Sequence, residues 1–138
     1  MFYPAIFEQG QDGYIVVTFR DIPEAITQGN NEAEAIDMAQ DALMTAFDFY
    51  FEDRRTVPAP SKPKLGEHLI EVPPSVTAKI LLLNEMIAQK IKPIDLARSM
   101  CVKPQEVQRL MNLSHHTKID TIDVALSALG KHLNIQVI

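Results

Sequence analysis

Over the first thirty residues apolar and polar positions change at short range. Phe2 to Phe7 and Tyr14 to Phe19 are rich in β-branched and aromatic residues and flank Gln11-Asp12-Gly13, and two such runs around an Asp-Gly turn predict a β-hairpin. Ala25 to Gln28 reads as a short third strand closed by Gly29. The period then lengthens. Ile36, Ala39, Leu43, Ala46, Phe47 and Tyr50 recur at helical spacing while Asp37, Asp41 and Asp48 fall largely on the other side, which predicts a helix packed on the sheet and ending near Asp53. Asn30 or Asn31 is placed to cap it, with Glu32 and Glu34 favourable in its first turn.

Between Thr56 and Leu65 the prolines Pro58, Pro60 and Pro63 favour an extended connector, a semi-rigid strap. His68 to Val72 then reads as a short strand that returns to the sheet, and Pro73-Pro74 closes the segment. Beyond it the pattern is helical. A first helix from about Ser75 to Gln89 carries Val76, Ile80, Leu83 and Ile87 on one stripe. A second starts at Pro93 with Leu96, Ala97 and Met100, a third runs from Pro104 to Asn112 around Val107 and Leu110, and a fourth follows Asp120, read as its cap. The expected fold is α+β: a β-β-β-α-β domain over residues 1–74, then an all-α domain over 75–138.

Composition adds a division of charge. The net charge of −5 splits into 5 Lys/Arg against 13 Asp/Glu in residues 1–74 and 8 against 5 in residues 75–138, that is −8 and +3. An acidic half suits a basic partner and a basic half a polyanion, although two ordinary solvated surfaces explain the charges about as well. The single cysteine, Cys101, leaves no intrachain disulfide and no zinc cluster, so a reducing, cytoplasmic setting is expected and the thiol reads as structural. No apolar run is long enough to span a bilayer, no signal-peptide pattern opens the chain, and no membrane partner is expected. Catalysis is not expected either. Glu8, Asp12 and Asp21 lie in or beside turns, His68 stands alone, and no nucleophile has a histidine near it in sequence. No metal or other cofactor is called for.

The chemistry-bearing pattern lies in the second half. A helix-turn-helix needs a small residue where its helices cross, a short turn, and a second helix that is apolar inside and polar outside. Leu96-Ala97, Met100-Cys101-Val102 and Val107/Leu110 meet these demands in order. The outward residues Gln105, Glu106, Gln108, Arg109 and Asn112, with Lys103 at the helix start, suit base reading, since glutamine pairs with adenine and arginine with guanine through two hydrogen bonds. Lys118, His115 and His116 follow in a loop from which phosphates are within reach. For an isolated helix, the same residues would read better as a plain solvent face.

Leu96-Ala97, Val102, Val107, Arg109-Leu110, Asn112 and Ala128-Leu129-Gly130 resemble the lambda-repressor-like, or Xre-type, DNA-binding domain over nearly all of residues 76–133. Cys101 stands where that family usually has a turn glycine, so the turn either avoids positive φ or bears strain of about 1 kcal/mol. Pro93 replaces the polar residue, often glutamine, that opens the corresponding helix. Gly13-Tyr14-x-Val16, Asp21-Ile22-Pro23-x-Ala25-x-Thr27-Gln28-Gly29, and Glu34-Ala35 followed by Ala42-Leu43 resemble the HicB antitoxin family across the whole chain. That family joins a partial RNase H-like domain without catalytic carboxylates to a DNA-binding domain. Glu24-Ala25 departs from the glycine and small residue found in many members.

The resemblance implies an antitoxin that neutralises a small basic HicA-type toxin, an mRNA-cleaving ribonuclease, and represses its own operon by binding operator DNA. Asp21 and Glu24, beside the motif turn, are the candidate toxin contacts, with ordinary turn solvation as the plain alternative. Repressors of this fold bind paired half-sites as homodimers, so a homodimer or higher homo-oligomer is expected. The apolar tail Ile135, Val137 and Ile138 suits an intersubunit strand or a strand folded back on its own domain. The rival readings are a stand-alone transcription regulator with a ligand-sensing first domain, and an enzyme with a nucleic-acid-targeting module.

Overall fold

A computed structural model describes residues 1–138. The order of elements is β1 (Phe2–Gln9), β2 (Ile15–Phe19), β3 (Ile26–Gly29), α1 (Glu32–Asp53), β4 (His68–Glu71), α2 (Pro74–Ala88), α3 (Pro93–Met100), α4 (Pro104–Leu110) and α5 (Ile119–Ala128), an α+β fold. Two compact units emerge: Met1–Tyr50 with Val57–Pro73, and Phe51–Thr56 with Pro74–Ile138. No helix is long and apolar enough to cross a membrane.

In the first unit an antiparallel sheet is ordered β3-β2-β1-β4. The β1–β2 turn is closed by the Gly10 N–H to the Tyr14 carbonyl at 2.6 Å, with Gly13 at φ 81°, a conformation that costs glycine nothing. Tyr3, Ala5, Val17 and Phe19 are buried on one face of the sheet. On α1 the buried stripe is Ala35, Ala39, Leu43, Ala46, Phe47 and Tyr50, whereas Ile36, expected inside, is exposed. β3 and the helix start approach closely: a Cβ on Gly29 would lie 2.5 Å from the Ala35 nitrogen, so position 29 admits only glycine. Asn31 caps that start by accepting the Glu34 N–H at 2.9 Å. β3 begins at Ile26, one residue later than expected, because the Ala25 N–H is turned onto the Ile22 carbonyl and Ala25 itself is buried.

The Pro-rich strap is fastened to this unit at several points. The Tyr3 hydroxyl donates to the Pro58 carbonyl at 2.6 Å, the Asp21 carboxylate accepts the Ser61 N–H at 2.9 Å together with its hydroxyl, and the Arg20 guanidinium reaches the Lys62 carbonyl at 3.1 Å. Arg20 also grips both oxygens of Glu67, at 2.7 and 2.8 Å, while the Lys64 N–H donates to the same carboxylate. The guanidinium and that N–H hold the Glu67 carboxyl down at about 2.

The second unit packs α2 to α5 around Leu82, Met86, Leu96, Val107, Leu110 and Ile122. The core stripe of α2 is Ala78, Leu82 and Met86; Val76, Ile80 and Leu83 are buried outside this cluster, and Ile87 is only half-buried. α5 begins one residue before Asp120, with Lys118 in the cap position, so Asp120 serves in the first turn, where its charge suits the helix dipole. Residues 131–138 form no strand, and Val137 and Ile138 are almost fully exposed. The tail is not folded back as a strand on its own unit.

Candidate functional site

α3 and α4 are joined by Cys101, Val102 and Lys103. Leu96 and Ala97 of α3 and Val107 and Leu110 of α4 are buried together, and the small Ala97 side chain lets the helices come close. The turn is tight: the Cys101 N–H reaches the Arg98 carbonyl at 3.2 Å and the Val102 N–H the Ala97 carbonyl at 3.0 Å, with Cys101 left-handed at φ 57° and ψ 41°. The choice left open by the sequence falls on positive φ, which for a residue with a Cβ costs about 1 kcal/mol. The Cys101 thiol is exposed rather than packed inside. At α3's start the Asp95 carboxylate accepts the Lys92 N–H at 3.1 Å, beside Pro93 as first residue.

α4 ends at Leu110, two residues short of expectation, with Met111 closing it. Gln105, Glu106, Gln108 and Arg109 lie on its exposed side, and Lys103 is exposed at its start. Arg109 Nη1 lies 2.8 Å from Glu106 Oε1, one helical turn away. Both are half-exposed, so the pair is weak and readily exchanged for another partner of the guanidinium. Asn112, beyond the helix, makes the loop: its Oδ1 accepts the Ser114 N–H at 2.9 Å. Lys118, His115 and His116 are exposed in or just after that loop.

One residue of this region is not marked by its type or spacing. Lys79 of α2 is 2% exposed, and its ammonium donates to the carbonyls of Arg109, Asn112 and His115 at 3.1, 2.8 and 2.7 Å. It gathers the C-terminal end of α4 and the loop behind it, where the Arg109 and Asn112 carbonyls also accept the N–H groups of Asn112 and His115 and the helix dipole favours a cation. Burial pushes its ammonium below the usual lysine range. The only sequence signal is a lysine inside the apolar run of α2, ordinarily read as solvent-facing.

Of the two candidates in the first unit, Asp21 is occupied by Ser61 in holding the strap. Glu24 is exposed and accepts the Tyr50 hydroxyl at 2.9 Å, at one end of a groove beside α1. Asp21 and Glu24 belong to the first unit, the α4 residues to the second. Nor are three or more His, Cys, Asp or Glu gathered as a metal site.

An acidic unit of sheet and helix is thus followed by a basic unit that presents a polar helix across a short turn. Residues 2–81 match the family described as HicB_like antitoxin of bacterial toxin-antitoxin system. Antitoxin HicB 2 of Photorhabdus laumondii subsp. laumondii is 56% identical over 135 residues, covering 98% of this chain and 95% of that protein. Antitoxin HicB of Escherichia coli K12 is 49% identical over 135 residues, 98% of each, and that of Pseudomonas fluorescens is 30% identical over 138 residues, 99% of this chain and 94% of its own. The chain belongs to the HicB-like antitoxin family. Its role is that of an antitoxin in a toxin-antitoxin system, with a toxin as partner.

Proposed function

We propose that the first unit neutralises a HicA-type, mRNA-cleaving toxin and that α3, the turn and α4 form a helix-turn-helix with which the chain represses its own operon. The observation that carries the DNA reading is the exposed set Gln105, Gln108 and Arg109 on α4, with the opposite side of that helix fixed by Val107 and Leu110. These side chains have the donors and acceptors to read base edges in the major groove, while Lys103 and Lys118 suit phosphates. Glu106 holds Arg109 until a guanine takes its place, and Asn112 shapes the loop that carries His115 and His116. The net of −8 in residues 1–74 supports a basic toxin as the other partner.

The DNA-bound form is a homodimer or higher homo-oligomer in this reading, because paired half-sites call for two recognition helices. The exposed apolar tail with Ile135, Val137 and Ile138 supplies a contact between copies. Expression beside the product of the adjoining reading frame tests the antitoxin half. Growth restored by this chain is the expected result; equal toxicity with and without it contradicts the reading. Binding of the chain to a labelled fragment from upstream of its own gene tests the second half, with binding to unrelated DNA of equal affinity as the contrary result.

A further inference from the structure

α1 has a second exposed stripe beside its buried one. At 100° per residue, Met38, Ala42, Thr45 and Phe49 fall within about 60° of one another, on the flank that faces β3. Together with Ile26 and Glu24 they line a groove of about 280 Å³ wholly inside the first unit. Its apolar side chains are uncovered: Ile26 is 65% exposed, Phe49 52% and Met38 39%. β3 is an end strand of the sheet, so its outer backbone edge, next to the groove, pairs with no strand. Exposed edges of this kind template the addition of another strand.

Charge selects the occupant. α1 holds seven carboxylates in 22 residues and no Lys, Arg or His. Asp37, Asp41 and Asp48 run along the side of the exposed stripe away from the buried one, and Glu24 closes the groove's end. An apolar floor with one acidic wall fits an extended segment that carries apolar side chains beside Lys or Arg.

We infer that the toxin docks here, a basic and partly apolar segment of it pairing with β3 while its apolar side chains fill the groove against Met38 and Phe49. This rests on the reading that the first unit is the toxin-binding one. The sheet's other end supplies a matched control, since Leu69 of β4 is also 52% exposed but does not line this groove.

The test uses the full chain and the toxin encoded by the adjoining reading frame, with affinities from calorimetry. Phe49→Asp is expected to weaken binding about thirtyfold, as for a central aromatic anchor. Asp41→Lys weakens it most at low salt, and Leu69→Asp leaves it unchanged. Met38→Lys repeats the Phe49 test at a second exposed position should that variant fold poorly. Amides of residues 26–29 exchange more slowly in the complex. Wild-type affinity in Phe49→Asp, Met38→Lys and Asp41→Lys, a loss confined to Leu69→Asp, or unslowed exchange at 26–29 overturns the groove while leaving the antitoxin reading intact. A wild-type chain that does not bind the toxin overturns both.

Discussion

Arg20 in the first unit and Lys79 in the second do the same work by opposite means. Each fastens an irregular segment, Arg20 the proline strap and Lys79 the loop behind α4. Arg20 stays partly in solvent and faces a carboxylate, Glu67, so its charge is answered by another charge. Lys79 is buried, and its partners are three neutral carbonyls. Water can take over part of the Arg20 contact, although the Glu67 side chain is only 8% exposed. A buried ammonium cannot be lost so easily, since the His115 carbonyl loses its donor and the carbonyls of Arg109 and Asn112 keep only the backbone N–H groups of Asn112 and His115. The acidic unit is thus tied from outside and the basic unit from within, which places the sensitive residue under the proposed recognition helix.

Lys79→Met gives the largest expected effect. It destabilises the second unit by about 3 kcal/mol through loss of the ammonium's three hydrogen bonds, read by residue-resolved hydrogen exchange, with the first unit unchanged. Equal loss of protection in both units would break the comparison. Gly29→Ala is the counterpart in the first unit, costing about 2 to 3 kcal/mol because the new Cβ meets backbone that cannot give way. Cys101→Gly acts in the other direction. It stabilises the second unit by about 1 kcal/mol by relieving the left-handed Cys101, visible as a higher melting temperature.

Glu67→Gln removes the charge that the strap's ion pair relies on, and its effect depends on pH. The folded carboxyl titrates at about 2 rather than 4.5, so the folded state holds this proton less tightly than the unfolded one. Its contribution is therefore full above pH 4.5 and is lost as pH falls from there towards about 2. In a pH series of melting temperatures the wild type loses this increment across that window and the variant does not.

The element order was legible because periodicity marks each segment: short alternation in the hairpin, helical spacing in α1 and α3 to α5, and prolines at the boundaries. Asn31 and Gly13 were legible for the same local reasons. What escaped depends on contacts between distant positions. Ile36 has the right spacing for the core, yet it is exposed while Ala35 beside it is buried, and Gly29 is needed because the helix backbone passes so close to β3. Lys79 reads as a surface residue until the carbonyls of Arg109, Asn112 and His115, 30 to 36 residues away, are brought around it. Cys101 was legible as a turn position, whereas its positive φ was not, since a turn without glycine has two solutions. The groove was hidden for a related reason. Met38 and Phe49 share a stripe of α1 with Thr45, and only β3 alongside turns that stripe into a wall.

In the proposed division of labour this antitoxin meets DNA with one unit and its toxin with the other, and Arg109→Ala, assayed in parallel on promoter DNA and on the toxin, probes that division. DNA binding weaker by about 1 to 3 kcal/mol with toxin affinity unchanged is the expected result; loss of both together, or unchanged binding to DNA, would refute the division.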